Sequence, residues 1–146
     1  MSRKDYTEEE LRDFYISYVC NSKELHKEVP VFSRSVDLVQ YDNDNDTLTA
    51  IEFKIDNWKK AIQQALDVSM CFDFLAICIP EPKTKKCLDS IEKECSKYGI
   101  GIYLYNDIDS TFEHIGLEEK INDVWYKQRK TILDYLEAVS YTHLRA

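Results

Sequence analysis

The stretch Phe72-Asp73-Phe74-Leu75-Ala76-Ile77-Cys78-Ile79 constrains this chain more than any other. Pro80-Glu81-Pro82 ends it. It is far too short to cross a bilayer. Apolar on consecutive residues rather than alternate ones, it predicts a strand buried on both faces, which requires covering layers on each side. The flanking sequence supplies them. Trp58, Ile62, Ala65, Leu66 and Ser69 fall on one stripe of a helix expected from Trp58 to about Met70, with Asp56-Asn57 as its cap. A second helix is expected from Thr84 to Tyr98, closed by Gly99 as C-cap. Gly101 to Tyr105 then reads as another strand. Strands alternating with helices imply parallel crossover units.

The first half follows a different pattern. Thr7 and Glu10 form a capping box ahead of Leu11, Phe14, Tyr15 and Tyr18, which share one helical face. Glu28 to Phe32 reads as an edge strand, because Pro30 lacks a ladder donor. Ser33-Arg34-Ser35 is expected to turn the chain into a strand from Val36 to Tyr41. Asp42-Asn43-Asp44-Asn45-Asp46 signals a turn before a third strand, Leu48 to Ile55. Short connections predict antiparallel pairing among these three strands. Asp107 to Glu113 reads as a loop with a short strand around Phe112. A last helix is expected from about Leu117 to Ala138, with Ile121, Val124, Trp125, Ile132 and Leu136 inward. The expected class is α/β, a mixed sheet with antiparallel hairpins first, parallel crossovers after, and helices on both faces.

One domain is expected over residues 1–138. Val139-Ser140-Tyr141-Thr142-His143-Leu144-Arg145-Ala146 resembles the translated read-through of a transposon-end sequencing adapter, so 139–146 is expected to be non-native. No apolar run follows Met1 to Asp5, and no signal peptide is expected. The five cysteines contain no Cys-x-x-Cys spacing, which argues against a disulfide scaffold or a zinc finger. Cys71 and Cys78 read as small buried hydrophobes, and a reducing cytoplasm is the expected compartment.

Chemistry concentrates on the third strand. Glu52 and Lys54 are two residues apart and share a face, opposite Ile51, Phe53 and Ile55. Buried charges are costly unless paired or bound to metal. Asp37, on the preceding strand, can be brought beside Glu52 by antiparallel pairing. Two adjacent carboxylates repel, and a divalent cation removes the repulsion. Carboxylates holding Mg²⁺, with a lysine to orient water or neutralise charge on a phosphorane, suit phosphodiester hydrolysis. The bland alternative is a solvated Glu-x-Lys strand face.

From Thr7 to Tyr105 the chain resembles the PD-(D/E)XK nuclease superfamily, with its restriction-endonuclease-like fold. The segment Glu28-Val29-Pro30-Val31 through Ser35-Val36-Asp37-Leu38-Val39 is similar to the family's first hairpin with its metal-binding Asp. Ile51-Glu52-Phe53-Lys54 matches the (D/E)XK element. Asn57 to Leu66 resembles the helix that follows, where Gln64 stands just before Ala65. Asp73 is similar to an acidic position before the buried strand. The Pro-Asp pair itself is absent, because Ser35-Val36 precede Asp37, and Val68 replaces the Tyr of the Gln-x-x-x-Tyr variant.

The resemblance implies roles. Asp37 and Glu52 would bind Mg²⁺ (or Mn²⁺), with Glu8 helping directly or through water and the backbone carbonyl of Phe53 as a further ligand. Lys54 would activate water, and Gln64 would support Lys54 or the phosphate. The substrate implied is nucleic acid, DNA first. The alternative is a catalytically inactive nuclease-like binding or regulatory module. A net charge of −8, from 27 acidic and 19 basic residues, favours that alternative, because it repels a phosphate backbone. A homodimer, or a C-terminal domain missing from this chain, are the two further partner arrangements expected.

Other clusters read more plainly. Asp42, Asp44 and Asp46 have Thr47 and Phe53 where an EF-hand needs Gly and Glu, so a polar hairpin tip is expected. Arg34, Lys59 and Lys60, and Lys83, Lys85 and Lys86, read first as solvated cations with phosphate contact as the alternative. His26, His114 and His143 lack partners at ligand spacing, and Tyr103 and Tyr105 read as core before base stacking.

Overall fold

Apolar alternation in the strands builds one six-stranded sheet. A computed structural model describes residues 5–19, 24–121 and 124–145. The elements are α1 (Glu8–Val19), β1 (Glu24–Val31), β2 (Arg34–Asp42), β3 (Thr47–Phe53), α2 (Trp58–Asp67), β4 (Phe74–Pro80), α3 (Lys85–Tyr98), β5 (Gly101–Asn106), β6 (Thr111–Gly116) and α4 (Tyr126–Arg145). The strand order is β1-β2-β3-β4-β5-β6. β1, β2 and β3 pair antiparallel, β3, β4 and β5 parallel, and β6 returns antiparallel to β5. The fold is the α/β class expected, a mixed sheet with helices on both faces.

The two faces carry different loads. On one, Leu11 and Tyr15 of α1 pack on Leu38, Ile51, Phe53, Ala76 and Cys78. On the other, Ala61, Ile62 and Ala65 of α2, Ile91 and Cys95 of α3, and Ile132 and Leu136 of α4 cover Val39, Leu48, Ala50, Leu75 and Ile77. β4 feeds both cores with alternate residues, as its unbroken apolar sequence requires. Every residue from Leu75 to Pro80 is buried. Gly99 closes α3 at φ 67°, where its N–H bonds the Cys95 carbonyl and a side chain would be strained.

Several boundaries differ from expectation. β1 starts at Glu24 rather than Glu28, because Glu24 to Lys27 also find partners on β2. The chain turns at Phe32-Ser33, with Phe32 at φ 58°, and Arg34 already belongs to β2. β3 ends at Phe53 rather than Ile55. A 3-10 turn, Ser69–Cys71, follows α2, so β4 begins at Phe74 rather than Phe72. β6 is a full strand, bulged opposite Ile102/Tyr103.

The largest correction concerns residues 117–121 and 124–125, expected to be helical. Glu119 N–H bonds the Gly99 carbonyl at 3.0 Å, Ile121 N–H that of Asp73 at 2.9 Å, and Trp125 N–H that of Met70 at 2.7 Å. Long-range partners thus take the Ile121 and Trp125 donors that a helix would have used internally and fix Glu119 beside Gly99, and α4 begins only at Tyr126. Trp125, expected inward, is 56% exposed, and Val124 is only half-buried. The α4 backbone runs on to Arg145, through most of the segment read as adapter-derived, and Ala146 lies outside the described residues. No helix among the described residues is long and apolar enough to cross a membrane.

Candidate functional site

The site forms where β2 and β3 part. Their last paired residues there are Leu38 and Ile51. Beyond them the Asp37 carboxylate takes over from the ladder: its Oδ2 accepts the Phe53 N–H at 2.8 Å. A twist in β2 makes this possible. Val36 packs in the core under α2, whereas Leu38, two residues on, packs under α1. Regular alternation would put both on one face. Across the register on β1, Glu28 sits at φ 53°, and its carboxylate accepts a 2.6 Å bond from Arg12 Nη1.

Glu52 lies beside this split. Ile51 and Phe53 face α1 and Ala50 faces the other core, so Glu52 points with Ala50 into the α2 side. It is only 1% exposed; no N–H group reaches its oxygens among the described residues, and the partner it has at hydrogen-bonding range is the Asp37 carboxyl. Burial, reinforced by the neighbouring Asp37 carboxylate, pushes its pKa up to about 9. Arg34 and Lys54 pull the other way without prevailing.

Lys54 extends the site along the chain. Its Nζ lies 3.4 Å from Glu8 Oε1, and Glu8 Oε2 accepts the Ile55 N–H at 3.3 Å. Glu8 thus bridges the first turn of α1 to the end of β3. Glu10 is used elsewhere, in a closed capping box: Thr7 N–H bonds Glu10 Oε1 at 3.0 Å, and Glu10 N–H bonds Thr7 Oγ1 at 3.1 Å. Gln64 is half-buried on α2, and its Oε1 is enclosed without a donor; no hydrogen bond joins it to Lys54. The Phe53 ring is buried under α1, and its N–H is the one Asp37 holds.

The sequence-predicted residues therefore assemble as two linked pairs, Asp37 with Glu52 and Glu8 with Lys54, joined by the Glu52-Phe53-Lys54 strand end. Among the described residues no group of three His, Cys, Asp or Glu side chains is set to hold a metal ion. Glu8 stands toward Lys54, and Asp37 and Glu52 form the two-carboxylate part.

Arg34 reaches Asp67 on α2, Nη1 to Oδ2 at 3.0 Å, with its Nε enclosed and unbonded. The Asp42 carboxylate receives the N–H groups of Asp44 and Asn45, as a hairpin tip should. His114 stacks on Tyr103 with centroids 4.2 Å apart, and its Nε2 lies 3.2 Å from Glu118. Tyr105 packs among Tyr6, Phe14 and Phe112. Cys71 and Cys78 are buried free thiols, pushed upward in pKa by burial, whereas Cys20 lies outside the described residues. Asp73, read as part of the family pattern, sits at the other end of β3: its Oδ2 accepts Leu48 N–H at 2.8 Å and Arg129 Nε at 3.1 Å. Arg129 was not singled out from the sequence, because a lone arginine on a helix carries no local signal of a partner 56 residues away.

No protein-family model and no curated protein matches the chain. Among solved structures, a protein of unknown function from Silicibacter pomeroyi aligns with TM-score 0.69 and 13% identity, covering 98% of this chain and 92% of its own. That alignment shows the same fold over nearly the whole chain. A repair endonuclease from Pyrococcus abyssi aligns with TM-score 0.48 and 15% identity, over 70% of this chain and 48% of that one.

Proposed function

We propose that the chain is a divalent-metal-dependent nuclease that hydrolyses phosphodiester bonds of nucleic acid, DNA in the first instance. One observation carries this reading. Glu52 is a fully enclosed acid whose oxygens meet no N–H donor among the described residues, only a second carboxyl, that of Asp37. Without metal it stays protonated against Asp37, and ionising it at that depth costs several kcal/mol unless a cation is there to receive the charge. Hard oxygen donors in that state fit Mg²⁺ or Mn²⁺, so the residues present suit the ion.

Asp37 and Glu52 would hold the metal, which when bound supplies Lewis acidity and lowers the pKa of an attacking water. Phe53 N–H fixes the Asp37 carboxylate in place. Lys54 offers a positive charge at the strand end, where it can orient water and offset charge growing on the phosphate oxygens. Glu8 holds the Lys54 ammonium through its Oε1. Gln64 presents an unbonded amide oxygen from α2.

A second reading, a non-catalytic nuclease-like module, is favoured by the net charge of −8 and by Glu8 standing toward Lys54 rather than Asp37. One experiment separates them: incubation of the purified chain with single- and double-stranded DNA in Mg²⁺, and in EDTA. Cleavage in Mg²⁺ that Glu52→Gln abolishes and Lys54→Ala lowers by about 10²–10³-fold supports the nuclease. Cleavage that survives both substitutions, or none by the unaltered chain, overturns it.

A further inference from the structure

α1 packs on one half of its sheet face, where Leu38, Ile51, Ala76, Tyr105 and Phe112 share its core. Two residues along each of those five strands, and so on the same face, stand Gln40, Thr49, Phe74, Tyr103 and His114. All five line an open cavity of about 330 Å³ on the other half of that face. Gln40 is the register partner of Thr49, and Thr49 that of Phe74, so these three form one row across β2, β3 and β4. Tyr103 and His114 are partners on β5 and β6 and stack on each other.

Two of these side chains are polar and more than nine-tenths buried. Gln40 and Thr49 are each 8% exposed. The Thr49 hydroxyl has no hydrogen-bond partner among the described residues, and Gln40 gives only its carbonyl oxygen, to the Tyr15 hydroxyl at 3.5 Å. A valine and a leucine would avoid the cost of burying these groups unpaired, and a bound partner removes it. The acids of the lining are already engaged. Asp42 accepts the N–H groups of Asp44 and Asn45, and Glu118 accepts from the Tyr103 hydroxyl and lies 3.2 Å from His114 Nε2. Neither lysine nor arginine lines the cavity among the described residues. A bound anion would meet like charge, and a bound cation would have to draw a carboxylate from the partners it has. The groups left over are neutral donors and acceptors beside aromatic rings.

We infer that this cavity binds a neutral sugar ring, free or as the ribose of a nucleoside, with its hydroxyls on Gln40 and Thr49 and its C–H face against Phe74. Every sugar hydroxyl both donates and accepts, which matches an amide, a hydroxyl and the remaining lone pairs of the rim carboxylates. The volume lies at the small end of ligand pockets, about 300–1,000 Å³. The row that carries the site stands on strands, so its groups are held in place before a ligand arrives. The inference does not rest on the nuclease reading: Thr49 and Glu52 lie on opposite faces of β3.

The test uses the full chain without added metal. The probes are D-glucose, D-ribose and uridine, with acetate and putrescine as charged controls, read by saturation-transfer NMR and by titration. Transfer to the sugar-ring protons of at least one neutral probe is expected, and none to either control. Thr49→Val, which keeps the shape and removes the hydroxyl, is expected to weaken binding by about two- to 12-fold. It should leave the melting temperature of the free chain unchanged or raised, because the hydroxyl has no internal partner to lose. Binding of glucose or ribose assigns a free sugar, and binding of uridine alone through its ribose protons assigns a nucleoside. No transfer to any neutral probe, transfer to the uridine base alone, equal binding of a charged control, or full affinity of Thr49→Val overturns the inference. A lower melting temperature of Thr49→Val would give the hydroxyl a structural role and overturn it as well.

Discussion

The two ends of β3 each bury a carboxylate, and they treat it oppositely. At the start of the strand Asp73, 6% exposed, accepts Leu48 N–H and Arg129 Nε, and Arg129 also reaches the Asp46 carbonyl. That group clamps α4 to the β2–β3 hairpin. At the finish Glu52, 1% exposed, has no N–H donor among the described residues and meets only the Asp37 carboxyl. The fold had the means to satisfy a buried acid and did so at one end only. A carboxylate held by N–H donors is part of the scaffold, whereas an acid set against a second acid keeps a proton that a cation can displace.

The largest effect is on activity. Lys54→Ala should lower Mg²⁺-dependent cleavage by about 10²–10³-fold, as loss of one charge-stabilising donor does, while leaving the melting temperature nearly unchanged. The sharpest break of the comparison itself is Asp73→Ala. It leaves the buried Leu48 N–H without its acceptor and the half-buried Arg129 with Asp46 alone, and should cost roughly 1–3 kcal/mol, read by urea denaturation. Glu52→Gln should cost little or even stabilise the metal-free chain, so equal losses at the two positions would erase the distinction.

The third prediction concerns pH. The Glu52 pKa is raised above its ordinary 4.5 to about 9 in the folded chain. The folded state therefore holds a proton the unfolded state releases. Its stabilising effect is complete below about pH 4.5 and is lost as pH rises toward 9, with a slope of up to about 1.4 kcal/mol per unit. Metal-free thermal melts from pH 5 to pH 9 should show this fall in the unaltered chain, flattened in Glu52→Gln. Overlapping profiles would place the Glu52 carboxylate in solvent. Saturating Mg²⁺ should restore stability at the alkaline end by mass action, with a proton released on binding. The smallest effect is expected at the α1 cap, where Thr7→Ala should cost about 0.5–2 kcal/mol and reduce cleavage only through Glu8.

Much of the fold was legible in the residues because its signals are local. The capping box at Thr7, the stop at Gly99 and the unbroken apolar run of β4 each need only neighbours to be read. The antiparallel start and the parallel crossovers followed from the spacing between elements. The error at 117–121 and 124–125 has the same root: a helical pattern was present, but the Ile121 and Trp125 N–H groups had stronger partners at Asp73 and Met70, far away in sequence. The short strand expected near Phe112 proved to be all of β6, because the exposed edge of β5 offered it a ladder.

For the site, spacing alone singled out Asp37, Glu52 and Lys54, and only the family resemblance added Glu8 and Gln64; all five stand on elements whose order in the chain is written in the residues. Which of them meet was decided by tertiary structure. The twist at Asp37 that carries its carboxylate to Phe53 N–H, the reach of Glu8 to Lys54, and the enclosure of Glu52 depend on strands and helices closing around them. Local sequence records the donors and acceptors a residue carries. Whether a carboxylate finds a partner is settled only when distant segments pack, as the contrast between Asp73 and Glu52 shows.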